Sequence, residues 1–198
     1  MLINSDFEVT APVEQVWRYL LDVPRMAPNL PGTELTEVVG EDTYKGRVSV
    51  KLGPVSMRFA GTARIIERDE PHHRVVMDAA GAEEKGKGQA SMQLTATLAR
   101  AGTGTRVMVA QDLQLAGAAA QFGRGMITDV TSVLLKRFAD NVAEDIVRWS
   151  RGEAREAGKA VPAQGFTLGL LAAATALKRV FLRFFGSNTR RRAAMRRA

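Results

Sequence analysis

Residues 44–65, YKGRVSVKLGPVSMRFAGTARI, decide the fold. Tyr44, Gly46, Val48, Val50 and Leu52 fall on one side of an extended chain, and Lys45, Arg47, Ser49 and Lys51 on the other. Gly53-Pro54 interrupts the run, and Met57, Phe59, Gly61, Ala63 and Ile65 then alternate with Arg58, Thr62 and Arg64. A period of two sets one face on a core and the other in water, as antiparallel strands require. The glycine–proline pair between the two runs predicts a hairpin turn.

The same pattern extends outward. Ala90, Met92, Leu94, Ala96 and Leu98 alternate with Ser91, Gln93, Thr95 and Thr97, and Asp69-Glu70-Pro71 and residues 101–104 supply further turns. Residues 33–115 therefore predict six strands, and residues 2–9 a seventh. Pro12 opens a short helix to about Leu21, because Val13, Val16, Trp17 and Leu20 recur at helical spacing. Pro24, Pro28 and Pro31 make residues 22–32 a kinked connector. From about residue 118 to 151 the period lengthens, and Phe122, Met126, Val130, Val133, Phe138, Val142, Ile146 and Trp149 form one helical stripe. The order strand, helix, six strands, long helix predicts an α+β domain over residues 1–151, with an antiparallel sheet curled around the long helix.

Composition limits the chemistry. The 198-residue chain has no cysteine, which excludes disulfides, thiolate metal sites and cysteine nucleophiles. Its two histidines, His72 and His73, follow Pro71 and read as a solvated turn pair. Gly102-Thr103-Gly104-Thr105 reads as a hairpin turn, because it lacks the helix junction and lysine of a phosphate loop. No carboxylate pair or Ser-His-Asp set stands out, so no enzyme is expected, and Asp6 and Glu8 argue against an export signal.

The net charge of +7 belongs to the end of the chain. Residues 1–177 carry 20 bases and 21 acids, whereas Lys178, Arg179, Arg183, Arg190, Arg191, Arg192, Arg196 and Arg197 follow with no acid. Residues 152–164, small and polar, read as a flexible linker. Residues 165–177 are uncharged but too few to span a bilayer. On a helical wheel Phe166, Leu170, Leu177, Phe181 and Phe184 cluster away from Lys178, Arg179 and Arg183, which predicts an amphipathic, polybasic membrane-binding tail over residues 165–198. Nucleic acid would not use that apolar face, so none is expected as a partner.

The apolar positions that face inward from the sheet and the long helix form either ordinary core or the lining of a cavity. Its expected lining is Val48, Val50, Met57, Phe59, Gly61, Ala63, Met77, Ala79, Met92, Leu94, Met108, Phe122, Met126, Val130, Val133 and Phe138. The five methionines in that set favour a deformable cavity. Tyr44, Gln111, Arg137 and Asn141 are the candidate polar contacts, while Asp129 and Asp145 border the groove.

Several short stretches resemble the carbon monoxide dehydrogenase G-subunit (CoxG) family. They are Pro31-Gly32, Lys51-Leu52-Gly53-Pro54, Phe59-Ala60-Gly61-Thr62, Asp69-Glu70-Pro71, the turn at Gly102–Thr105 and LAGAAAQFGRGMI at residues 115–127. The resemblance spans roughly residues 1–150. It implies a START-like helix-grip (SRPBCC) fold: a seven-stranded antiparallel sheet wrapped around a long C-terminal helix, with a cavity between them. It further implies association with a molybdenum-containing carbon monoxide dehydrogenase, and a cavity suited to a respiratory quinone such as menaquinone as bound ligand. The chain would then be a membrane-tethered carrier on the cytoplasmic face of the cell membrane. The alternative is a recruitment or maturation factor that carries nothing. Two places depart from the family pattern: Asn29-Leu30 precede the first Pro-Gly, and Glu83, Glu84 and Lys85 charge a glycine-rich segment.

Overall fold

A computed structural model describes residues 1–151. The expected linker at 152–164 and tail at 165–198 lie outside the described residues. Seven strands form one sheet: β1 (Leu2–Val9), β2 (Thr33–Val38), β3 (Thr43–Leu52), β4 (Val55–Asp69), β5 (Arg74–Glu83), β6 (Gly88–Ala101) and β7 (Gly104–Gly117). Their order is β1-β7-β6-β5-β4-β3-β2, with every neighbouring pair antiparallel. The meander from β2 to β7 needs only hairpins, while β1 reaches the far edge through the helical connector.

That connector holds helix α1 (Val13–Leu21), a single turn α2 (Val23–Met26) and a 3₁₀ turn at Ala27–Asn29. Pro12 sits at the N-cap of α1, where its carbonyl accepts from Gln15 and Val16. The prolines of residues 22–32 prevent a longer helix. The last element is α3 (Arg124–Ser150), 27 residues or about 40 Å long. It starts six residues later than the apolar stripe predicts. Gly117 turns the chain at φ +69 and residues Ala118–Gln121 form a 3₁₀ turn, so Phe122 precedes the helix.

The alternation of residues 44–65 survives as paired faces. Tyr44 lies opposite Ala63, Gly46 opposite Gly61 and Val50 opposite Met57. Gly53, with φ +62, makes the turn between β3 and β4. A bulge after Ile65 leaves Ile66 unpaired and 48% exposed, and pairing resumes at Glu67 with the register shifted by one residue.

Candidate functional site

The concave face of the sheet carries two separate apolar clusters. The larger lies beneath α1 and the C-terminal half of α3. It includes Val16, Trp17, Tyr44, Ile65, Val107 and Val142, with Met77 and Leu94 packed against it. Phe138 belongs here too, edge-to-face with Phe7 at 5.9 Å between ring centres. The smaller cluster sits at the other end: Leu52, Met57 and Ala119, with Val50, Phe59, Leu115, Phe122 and Val130.

Between the clusters the floor is built from the smallest side chains. Gly46, Gly61, Gly81 and Ala90 are successive partners along one row, and Ala63, Ala79 and Met92 along the next. The glycines are required by the backbone: a Cβ on Gly61 would lie 2.1 Å from the Ala80 carbonyl oxygen. Above this floor α3 runs along β1 and meets β3, and its Val130 packs with the smaller cluster and its Phe138, Val142 and Ile146 with the larger. Val133 and Arg137, both half-buried, fall between the two clusters along α3. The small residues of this floor stay half-buried in the space between the two clusters.

Gln111 is the polar group placed at this space. It is 7% exposed, pairs with Ile3 and Leu94, and sits one row from Leu113 and Met92. Its amide makes no hydrogen bond among the described residues. The amide is not among the fully enclosed unpartnered atoms, so its donor and acceptor remain reachable for a ligand oxygen or hydroxyl.

The other expected polar contacts are engaged elsewhere or flank the space. Tyr44 is 6% exposed and donates to the Glu41 carbonyl at 3.2 Å. Burial, reinforced by Asp42, raises its hydroxyl above the ordinary tyrosine range, so it remains a donor. Asn141 donates to the Asn29 carbonyl at 2.8 Å and so ties the 3₁₀ turn to α3 rather than facing a ligand. Arg137 forms no ion pair among the described residues.

Three expected lining residues are placed differently. Met108 projects from the convex face and is 41% exposed, because Val107 and Val109 take the inward positions of β7. That corrects the expectation that it faces inward. Val48 and Met126 are 37% and 39% exposed and stand at the rim.

Sequence reasoning missed a buried polar cluster that joins the connector to α3. Asp145, which the sequence placed at the groove border, is 2% exposed. Its Oδ2 accepts from the Tyr19 hydroxyl at 2.8 Å, Arg25 Nε at 3.3 Å and Asn29 Nδ2 at 3.5 Å. Asn29 Nδ2 also donates to the Tyr19 hydroxyl oxygen at 2.5 Å, and the Arg25 guanidinium lies 4.7 Å from the Trp149 ring centre. Asp145 Oδ1 is buried with no hydrogen-bond partner among the described residues. The departure at Asn29 was the available signal, and its role is structural.

The departure at Glu83 also has a structural reason. Glu83 is 5% exposed, and its carboxylate accepts from the backbone N–H groups of Lys85 and Lys87 at 2.9 and 3.2 Å. Burial alone would raise its pKa, but these backbone bonds, with the Lys85 charge, outweigh it and hold it below the ordinary range. The carboxylate thereby fixes the β5–β6 turn.

On the opposite, convex face a depression of about 520 Å³ is lined by Thr62, Arg64, Asp78, Ser91 and Gln93 among others. It is open and of mixed polarity, reaches Ala79 and Met92 of the floor through the sheet, and shares no residue with either apolar cluster. Among the described residues no group of three or more His, Asp or Glu could hold a metal ion, and no helix is long and apolar enough to cross a membrane.

The model of the carbon monoxide dehydrogenase G-subunit (CoxG) family matches residues 6–147. No curated protein sequence matches the chain. Among solved structures, a conserved protein from Geobacillus kaustophilus is 20% identical with a TM-score of 0.67, over 75% of this chain and 96% of that one. The ZhuI aromatase/cyclase from Streptomyces sp. R1128 is 16% identical with a TM-score of 0.56, over 79% and 99%. A START superfamily protein from Mycobacterium smegmatis is 14% identical with a TM-score of 0.50, over 75% and 98%. At these identities the solved structures establish the START-like helix-grip fold and nothing about chemistry.

Proposed function

Since this chain belongs to the carbon monoxide dehydrogenase G-subunit (CoxG) family, we propose that it is a lipophilic-ligand carrier that serves a carbon monoxide dehydrogenase. In this reading it takes a respiratory quinone such as menaquinone from the membrane and hands it to the dehydrogenase, so linking that enzyme to the respiratory chain. The observation that carries it is the divided core: apolar clusters at either end of a floor of Gly61, Gly81, Ala63, Ala79 and Ala90.

Such a floor suits a long, flexible, apolar guest. An isoprenoid chain exposed to water would cost about 0.8 kcal/mol per CH₂, and the cavity walls remove that exposure. Met57, Met77 and Met92 repack readily around different guests. Gln111 is the group that would hold the quinone's polar ring. The sequence of residues 165–198, with Phe166, Leu170, Leu177, Phe181 and Phe184 beside Lys178, Arg179, Arg183, Arg190, Arg191 and Arg192, supports a peripheral tether on the cytoplasmic face of the membrane. The reading assigns the chain no catalytic group.

Mass spectrometry of an organic extract from gently purified full-length protein tests this. Quinone at close to one molecule per chain is the expected result. An extract without quinone or lipid, from protein that still binds anionic vesicles, would instead select the recruitment factor that carries nothing.

A further inference from the structure

The antiparallel meander sorts its connections to two ends of the domain. The β2–β3 and β4–β5 turns lie at one end, and the β3–β4 turn, the β5–β6 turn and the β7–α3 junction at the other. The first pair carries Glu41, Asp42, Asp69 and Glu70, offset in part by Arg68 and Arg74, which pair with Asp42 and Glu67. The second end carries Lys51, Lys85, Lys87 and Arg124. Its acids are Glu83, bonded to the backbone of its own turn, Glu84, paired with Arg47 at 3.0 Å, Asp112, paired with the N-terminal ammonium at 3.1 Å, and Asp129 in the second turn of α3. Lys85 and Lys87 form no ion pair among the described residues. Residues 1–151 hold 18 bases and 19 acids, so this segregation, rather than any overall excess, makes one end positive.

The positive end is also where apolar surface is uncovered. Val55 is 42% exposed beside the exposed Pro54 at the β3–β4 turn, and Val48 37%. Met126 is 39% exposed although Val130, one turn further along α3, packs against the smaller cluster. The helix stripe is therefore uncovered where it meets the open side of the grip.

We propose that this end of the folded domain is a second membrane-contact surface, separate from the tail, that lays the open side of the cavity on an anionic bilayer. Pro54, Val55 and Met126 enter the headgroup region while Lys85 and Lys87 sit over lipid phosphates. A small apolar tip beside these two lysines matches such a surface in both polarity and charge sign.

The absence of native cysteine makes the test direct. Full-length protein carrying Val55→Cys is labelled with the polarity-sensitive fluorophore NBD, and Glu70→Cys is labelled in parallel at the opposite end. With vesicles of phosphatidylglycerol and phosphatidylcholine, the label at Val55 should brighten about threefold and shift to the blue, as a probe entering the interface does. The label at Glu70 should stay unchanged, and pure phosphatidylcholine vesicles should move neither. Replacing both Lys85→Gln and Lys87→Gln should weaken vesicle binding by about fivefold per cation, up to roughly 25-fold. A silent Val55 label with anionic vesicles, whether or not the tail binds them, overturns the proposal. So does an equal response at both sites, or a Val55 response to the purified dehydrogenase and not to lipid. The proposal leans on the carrier reading only for its orientation. An empty extract with a responsive label would refute that reading and leave this one standing, and quinone in the extract with a silent label would do the reverse.

Discussion

Replacing Asp145 by alanine should destabilise the domain by about 3 kcal/mol. The change removes three contacts at one buried carboxylate oxygen. The Tyr19 bond at 2.8 Å is short and buried, and a hydrogen bond to a charged group of this kind is worth about 1.5–3 kcal/mol. Arg25 is 25% exposed, so water takes over much of its charge and its pairing adds only about 0.5–1 kcal/mol. The Asn29 contact is at the distance limit of 3.5 Å, and that amide keeps the Tyr19 oxygen and the Arg25 carbonyl, so it adds little. In a domain of this size the sum lowers Tm by about 6–12 °C. Asp145→Asn retains an acceptor for Tyr19 and should lose only about 1 kcal/mol. Urea titration followed by tryptophan fluorescence measures both, and Trp149, stacked on Arg25 at 4.7 Å, reports the junction locally. Combining Tyr19→Phe with Asp145→Ala should cost about 1 kcal/mol less than the sum of the single changes, because they share one bond. A loss below about 1 kcal/mol for Asp145→Ala, or strict additivity in the double variant, would refute the reasoning.

Four further outcomes follow. Gln111→Leu should leave Tm nearly unchanged, because it removes no hydrogen bond among the described residues, while lowering the quinone content of the extract. Ala63→Phe should empty the extract by filling the floor, at a stability cost of about 1–3 kcal/mol. Gly61→Ala should damage folding out of proportion to its size, since the added carbon would meet the Ala80 carbonyl oxygen at 2.1 Å; calorimetry on both variants checks the contrast. Glu83→Gln should lower Tm at neutral pH. Because the folded carboxyl titrates below its ordinary value, its stabilisation is present above that value and is lost as pH falls through the folded pKa, so the two melting curves should converge in acid.

Much of the fold was legible because alternation and helical spacing are local properties. Tyr44, Gly46, Val50 and Leu52 share a face by backbone geometry whatever the rest of the chain does, and a Gly-Pro pair turns wherever it stands. The candidate floor was legible for the same reason: Gly61, Ala63, Ala79 and Met92 keep the parity of their strands. Met108 was misjudged through its residue type, since methionine suits a core, whereas the parity of β7 gives the inward places to Val107, Val109 and Gln111.

The sequence by itself determined seven strands in meander order, two amphipathic helices, the uncharged and basic character of residues 165–198 and, through short ordered motifs, the family. Only the tertiary structure decided which polar groups lose water and which charges stand together. Asp145 meets Asn29 across 116 residues of chain, and Tyr19 across 126. Neither pairing leaves a mark in local spacing. Lys85 and Arg124 likewise become neighbours in charge only because antiparallel strands return every second turn to the same end. Burial and field are set by distances in space, and a period in the sequence reports only the face on which a residue begins.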